Sequence, residues 1–163
     1  MQNHSEVTKV TQRPSHPRGW DGKLTYDEDR EASMKKILVV EDDESQRLLY
    51  HDELAESGYE VVLAANGKEA LKQLDVAEPD LVVLDIVMPV MDGMETLGRI
   101  IRQHRHIPVI LNTAYSSYKD DFMSWGAEAY VVKSADLGEL KAKIREIMDV
   151  ESVQDILVRG SLI

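Results

Sequence analysis

Residues 81–93 read LVVLDIVMPVMDG, an apolar run that leads one carboxylate into a turn. Because the four residues before Asp85 are all Val or Leu, both faces of the segment are predicted to be covered, as in a central strand of a helix-flanked parallel sheet. A single aspartate at a strand end is most often a turn residue or a helix N-cap. Ligands of open parallel sheets bind at this carboxyl edge, however, so Asp85 is a candidate reactive residue.

Three other apolar segments end in residues that carry chemistry. The segment KILVV at 36–40 precedes four acids at 41–44, PVILN at 108–112 precedes Thr113, and AYVV at 129–132 precedes Lys133. Crowded carboxylates repel unless one protonates or a cation neutralises them, and oxygen ligands suit Mg²⁺. A lysine pairs with a carboxylate or a phosphate. Asp43 and Glu44 are expected only as the acidic start of the next helix.

Taken in order, these motifs resemble the receiver domain of two-component response regulators, in particular a stand-alone receiver of the chemotaxis type. The resemblance covers roughly residues 34–149. It rests on VVEDD at 39–43, LDIVMP at 84–89, MDG at 91–93, PVI at 108–110 with TA at 113–114, and GA at 126–127 with YVVK at 130–133.

The resemblance implies a role for each matching residue. Asp85 would be the phosphoacceptor, charged by a histidine kinase or a phosphotransfer protein, and the protein would be a signalling protein that catalyses only its own phosphorylation and dephosphorylation. Mg²⁺, or Mn²⁺, would be the cofactor. The other roles implied are Asp42 and Asp85 as metal ligands with Glu41 in support, the Val87 backbone carbonyl as a further ligand, Lys133 and Thr113 as phosphoryl contacts, and Thr113 with Tyr130 as the switch pair.

The family's output surface is expected on the fourth predicted helix, the fifth strand and the fifth predicted helix. A downstream protein would bind there, and a homodimer is an open alternative. Val87 and Tyr115 each lie two residues beyond a site residue, at positions that in this family flank the path of attacking water. We therefore expect slow hydrolysis of the phosphoaspartate.

One position departs from the family pattern. The family usually has a proline after the lysine, often with a cis peptide bond, whereas Ser134 follows Lys133 here. A cis bond before a residue other than proline costs about 2.5 to 4 kcal/mol. The Lys133–Ser134 bond is therefore predicted to be either trans, with a shifted loop, or strained.

Composition narrows the class of protein. With 163 residues, 43% hydrophobic and 30% charged, one globular domain plus tails is expected. A formal net charge of −11 disfavours direct binding to nucleic acid or to anionic lipid surfaces. The absence of cysteine excludes disulfides and thiolate metal sites, and no apolar stretch is long enough to span a membrane. A cytoplasmic location is expected.

The strands alternate with predicted helices five times, which indicates a doubly wound α/β fold with helices on both faces of a five-stranded parallel sheet in the flavodoxin-like order 2-1-3-4-5. The first helix is predicted at 45–57 with Leu48, Leu49 and Leu54 toward the core. The fourth is predicted at 118–125 and the fifth at 137–148.

Outside this domain, residues 1–33 are expected to be a flexible extension because they contain Pro and Gly among mixed charges with no apolar period. Whether the chain naturally begins at Met34 stays open. The apolar residues of 150–163 are expected to extend the fifth helix or to pack back on the sheet, and contact with a partner or a second subunit is the alternative. With no room for an output domain after them, a stand-alone receiver is expected.

Two other functions remain open. A phosphatase of the haloacid-dehalogenase type also uses a strand-end aspartate, but it requires a second Asp where this chain has Val87. A pseudo-receiver that binds proteins without being phosphorylated is the more serious alternative, because of Ser134. No role is assigned to the histidines, including His51, His104 and His106.

Overall fold

The computed structural model describes residues 34–88, 90–117 and 125–160, and the side chains up to residue 149. The strands are β1 (Lys36–Val40), β2 (Glu60–Ala64), β3 (Leu81–Leu84), β4 (Val109–Thr113) and β5 (Ala129–Val132). The helices are α1 (Glu44–Glu56), α2 (Gly67–Ala77), α3 (Gly93–Gln103) and α4 (Gly138–Gly160). The predicted fourth helix falls largely on 118–124, outside the described residues, so α4 corresponds to the fifth predicted helix.

The five strands form one parallel sheet in the order β2-β1-β3-β4-β5, which confirms the predicted fold. The run that ends at Asp85 is the central strand, and all four residues of β3 are buried. Its neighbours β1 and β4 pair with it in register, for example Val40 with Leu84 and Leu84 with Leu111. The carboxyl ends of these three strands therefore lie side by side.

Two hydrophobic clusters cover the two faces of the sheet. One packs the sheet against α2 and α3 and includes Leu38, Leu74, Leu97, Leu111 and Tyr130. The other packs it against α1 and α4 and includes Val39, Tyr50, Leu54, Ile110 and Ile144. Alternate residues of each strand contribute to opposite clusters because successive side chains point to opposite faces. Each fully buried aliphatic side chain contributes about 1.5 to 3 kcal/mol to folding.

The prediction that Leu48 and Leu49 face the core is wrong. Helix α1 buries Tyr50 and Leu54, whereas Leu48 is 52% exposed and Leu49 is 45% exposed. An α-helix turns by about 100° per residue, so a face centred on positions 50 and 54 turns position 49 to its side and position 48 away. Two leucines are consequently exposed on the surface of α1.

The ends of the helices follow local rules. Asp43, Asn66 and Asp92 are N-caps whose side chains accept hydrogen bonds from backbone N–H groups three residues on, at 2.8 to 2.9 Å. Helix α4 is 23 residues long and includes residues 150–160. None of the helices within the described ranges combines the length and the apolar character needed to cross a bilayer.

Candidate functional site

The candidate residues meet where four strands end. Glu41 and Asp42 follow β1, Asp85 follows β3, Thr113 is the last residue of β4, and Lys133 follows β5. Backbone hydrogen bonds continue the sheet past these ends. Asp85 N donates to Val40 O at 3.1 Å, and Lys133 N donates to Thr113 O at 2.7 Å. The sheet therefore fixes the spacing of these residues.

Three carboxylates form a cluster at this edge. One oxygen from each of Glu41, Asp42 and Asp85 lies within 4.8 Å of the others. Glu41 is 2% exposed and Asp85 is 6% exposed, whereas Asp42 is exposed. Asp42 therefore faces the solvent from which a cation would enter.

Lys133 joins two of these carboxylates. Its Nζ lies 2.5 Å from Glu41 Oε2 and 2.9 Å from Asp85 Oδ2, and the lysine side chain is 14% exposed. Burial alone would lower the pKa of Lys133, but its hydrogen bonds to Glu41 and Asp85 raise that pKa above the ordinary value. The ammonium is therefore held in its charged form beside Asp85.

The charges at this edge do not balance without a cation. Burial raises the pKa of Glu41 above its ordinary value even though Lys133 opposes the change. Three carboxylates and one ammonium leave a formal charge of −2, which a divalent cation would neutralise. Because carboxylate oxygens are hard ligands, the residues fit Mg²⁺, which takes one or two carboxylates and keeps several waters.

The loop after β3 is shaped by one glycine. A Cβ on Gly93 would lie 2.1 Å from the Asp85 carbonyl oxygen, so only glycine fits there, and Gly93 N donates to Ile86 O at 2.8 Å. Val87 N lies 3.3 Å from Asp85 Oδ1. Val90 has a φ of 73°, a left-handed conformation that a β-branched residue rarely adopts. The described residues of the loop therefore lie close to the Asp85 backbone, and the Val87 N–H lies near its carboxylate.

Thr113 and Tyr130 lie on the opposite face of the sheet from Lys133. Thr113 is completely buried, and its Oγ1 accepts a long hydrogen bond of 3.5 Å from Tyr115 N. Tyr130 is 5% exposed, packs in the cluster with Leu111, and donates from its hydroxyl to the Tyr115 carbonyl. The two residues of the predicted switch pair therefore both bond to the backbone of Tyr115.

The peptide bond after Lys133 resolves an alternative left by the sequence. No cis peptide bond occurs among residues 34–88, 90–117 and 125–160, so Lys133–Ser134 is trans. Lys133 nevertheless reaches both carboxylates. Ser134 has therefore not displaced the ammonium from the cluster.

Three polar residues near the site were not predicted. Arg47 Nη1 donates to the carbonyl oxygens of Glu41 at 2.8 Å and Asp42 at 3.0 Å, which ties α1 to the acidic loop. Asn112 Nδ2 donates to Tyr50 Oη at 2.9 Å inside the protein. The signal available in the sequence was a polar side chain at Tyr50 and at Asn112, two positions where an apolar residue is expected, because buried polar groups require partners.

His104 and His106 lie away from this edge. They line a cavity of about 360 Å³ with Asp75 and Glu78 beside the amino end of β4, and His104 Nε2 lies 3.4 Å from Asp75 Oδ1. They do not join the carboxylate cluster.

The chain is similar to proteins of a known family. A family profile described as "Response regulator receiver domain" matches residues 37–145. The chain is 42% identical over 120 residues to the probable transcriptional regulator ycf27 of Cyanophora paradoxa, covering 72% of this chain and 50% of that one. It thus spans about half the length of the curated relatives it matches.

Solved structures agree with the profile. The response regulator TrrA of Thermotoga maritima, in complex with Mg²⁺ and BeF, is 48% identical, has a TM-score of 0.66, and is matched over 69% of this chain and 98% of its own. TrrA in complex with the histidine kinase ThkA gives 48% identity and a TM-score of 0.65, over 69% of this chain and 97% of the other. The chain therefore belongs to the response regulator receiver domain family, the signalling proteins of two-component systems.

Proposed function

We propose that Asp85 accepts a phosphoryl group from a histidine kinase or a phosphotransfer protein. The observation that carries this proposal is the Lys133 ammonium, which contacts both Glu41 and Asp85 where three carboxylates converge. An ion pair that only placed charge on the surface would be exposed to solvent, whereas the Lys133 side chain is 14% exposed. An ammonium kept charged beside a nucleophilic carboxylate offsets the charge of an incoming phosphoryl group.

The proposed reaction is a displacement at phosphorus. An Asp85 carboxylate oxygen attacks the phosphorus atom, the P–N bond to the donor histidine breaks, and its electron pair returns to the imidazole. The product is an acyl phosphate on Asp85. Lys133 pairs with a phosphoryl oxygen, and the Thr113 hydroxyl donates to another.

Asp42, Asp85 and the Val87 carbonyl would hold Mg²⁺ or Mn²⁺, with Glu41 in support. When bound, the cation supplies charge neutralisation that the single ammonium of Lys133 does not. The structure of TrrA with Mg²⁺ and BeF supports this assignment, because that relative is 48% identical. The excess of three carboxylates over one ammonium supports it independently.

Phosphorylation would be read through Thr113 and Tyr130. Movement of Thr113 toward the phosphoryl group would change the Tyr115 segment, to which the Tyr130 hydroxyl is bonded. The output surface would be formed by the segment 118–125, β5 and α4, with a downstream protein or a second copy as its partner. The ThkA–TrrA complex supports a histidine kinase as the upstream partner.

We propose residues 34–149 as the receiver, with 1–33 and 150–163 outside it, acting as a stand-alone signalling domain rather than an enzyme on other substrates. One observation favours a second function. The matched curated relatives are transcriptional regulators about twice as long as the matched region, so a receiver that controls a linked output domain is the alternative. A phosphorylation-independent pseudo-receiver is the outcome expected if the experiment below fails.

The test is the intact mass of the protein after incubation with acetyl phosphate, with and without Mg²⁺. We expect the native chain to gain one phosphoryl group only with Mg²⁺, and Asp85→Asn to gain none. Asp92→Asn is the matched control, because Asn also caps helices and Asp92 accepts the Glu95 N–H at the start of α3. No gain by the native chain, even from a phosphohistidine donor, would refute the phosphoacceptor role.

A further inference from the structure

A buried polar pair lies on the face of the sheet that α1 and α4 cover. Asn112 is 4% exposed and Tyr50 is 3% exposed, and the Asn112 amide donates to the Tyr50 hydroxyl at 2.9 Å. The neighbouring Ile110 packs in the same cluster as Tyr50. A buried amide or hydroxyl that loses its partner destabilises the protein, so this bond holds β4 against α1.

The pair is next to the charged cluster. The charges of Lys133, Glu41 and Asp85 all act on the Tyr50 hydroxyl, whose pKa is raised chiefly by burial. Glu41, Asp85 and Lys133 follow Val39, Val83 and Val131 at the two-residue spacing of one sheet face, and those three valines belong to the cluster that contains Tyr50. Tyr50 and Asn112 therefore lie on the same side of the sheet as the ammonium.

A short chain of contacts connects the pair to Lys133. Asn112 is followed by Thr113, whose carbonyl accepts the Lys133 N–H at 2.7 Å. The Lys133 ammonium then bridges Glu41 and Asp85. Because these contacts are consecutive, the placement of the ammonium depends on where β4 ends.

We propose that Tyr50 and Asn112 are positioning residues for phosphoryl transfer to Asp85, an inference that rests on the proposed function. Their hydrogen bond fixes the carboxyl end of β4 and, through the Thr113 carbonyl, sets the Lys133 ammonium beside Asp85. Neither residue touches the reacting atoms. Both act through Lys133.

The test compares Tyr50→Phe, Asn112→Leu and the double variant with the native chain. Each single change leaves one polar group without its partner, whereas the double change removes both groups and leaves similar volumes. We expect the urea midpoint to fall in the single variants and to return close to the native value in the double variant. This recovery keeps the test valid if a single variant folds poorly.

The functional readout is the rate of phosphorylation by saturating acetyl phosphate. We expect the double variant to be about tenfold slower than the native chain, since displacement of a catalytic group by about 1 Å costs up to roughly a hundredfold. The Mg²⁺ concentration for half-maximal rate should change less than about twofold, because β1 and β3 place the carboxylates. Tyr59→Phe, in the same hydrophobic cluster, should keep the native rate.

The outcomes separate the two proposals. A native chain that takes up no phosphoryl group from acetyl phosphate or from a phosphohistidine donor refutes the proposed function. A native chain that is phosphorylated, with a folded double variant that matches its rate, shows that the pair only packs and overturns the positioning role. An equal loss of rate in Tyr59→Phe would overturn it as well.

Discussion

The two faces of the sheet carry different halves of the site. On the α1 and α4 face, Lys133 is fixed between Glu41 and Asp85 by two short contacts. On the α2 and α3 face, Thr113 and Tyr130 are buried among apolar groups, and both bond to the backbone of Tyr115. The first face is held by ion pairs between charged side chains, whereas the bonds of Thr113 and Tyr130 described above go to neutral backbone groups of Tyr115. We infer that the first face holds the nucleophile and its ammonium, whereas the second face couples the phosphoryl group, through Thr113, to the conformational response.

The largest effect should come from removal of the ammonium. Lys133→Met would leave two buried carboxylates without their cation, so we expect a loss of about 3 kcal/mol in the free energy of unfolding in EDTA. Added Mg²⁺ should restore part of that loss. Urea unfolding with and without Mg²⁺ measures both.

The matched control is Lys141→Met. Lys141 pairs with Glu53 at 2.5 Å on a more exposed surface, and such pairs contribute at most about 1 kcal/mol. Equal losses in the two variants would show that burial between two carboxylates does not make the Lys133 contacts stronger than a more exposed ion pair.

A second test probes the backbone next to Asp85. Gly93→Ala would place a Cβ 2.1 Å from the Asp85 carbonyl oxygen, so we expect a loss of about 2 kcal/mol or more. Gly98→Ala in the same helix meets only the Arg102 side chain at 3.4 Å and should stabilise by about 0.5 to 1 kcal/mol. Thermal unfolding of both variants would detect the opposite signs, and a Gly93→Ala variant as stable as the native chain would contradict the close approach.

A third test addresses the other face. Thr113→Val keeps the shape of the side chain but removes its hydroxyl, so we expect phosphorylation to slow by roughly tenfold, the effect of one hydrogen bond to a charged group. The Mg²⁺ requirement should stay unchanged because Thr113 is not among the clustered carboxylates. If the Mg²⁺ concentration for half-maximal rate changed as much as the rate itself, the two faces would act as one unit.

The smallest effect concerns pH. The pKa of Glu41 is raised above its ordinary value of 4.5, chiefly by burial. The folded state therefore binds more protons than the unfolded state above pH 4.5, and the metal-free protein loses stability as pH rises through the folded pKa. Mg²⁺ opposes this loss, so the stabilisation it gives should increase from pH 4.5 toward neutrality.

Urea unfolding across that pH range measures this gain, with Glu41→Gln as the comparison. The increase should be smaller in the variant, because its side chain does not titrate. An identical pH dependence in both proteins would show that Glu41 does not couple protons to the metal.

Much of the fold was predictable because burial within the folded protein restricts which residues a strand can contain. A strand buried on both faces must be apolar along its length, so the residues before Asp85 identified the central strand. Residues that follow the strands of a parallel sheet share one edge, so the positions of Asp85 and Lys133 in the sequence were enough to predict that they lie close together.

The sequence was less informative about which face of a helix is buried. Leu48 and Leu49 are apolar, yet the helix buries Tyr50 because its ring fills the core and its hydroxyl meets Asn112. That partner lies 62 positions away, so only the folded sheet shows it. The direction in which Arg47 points was hidden for the same reason.

The left-handed backbone of Val90 offers a practical tool. A β-branched residue at a φ of 73° costs about 1 to 2 kcal/mol, and its side chain is 83% exposed. Val90→Asn should therefore raise the midpoint of thermal unfolding, whereas Val76→Asn, on the exposed side of α2, should not. The Val90→Asn variant would then be a more stable parent protein. The destabilising substitutions at Lys133 and Gly93 could be compared in it while the protein still folds.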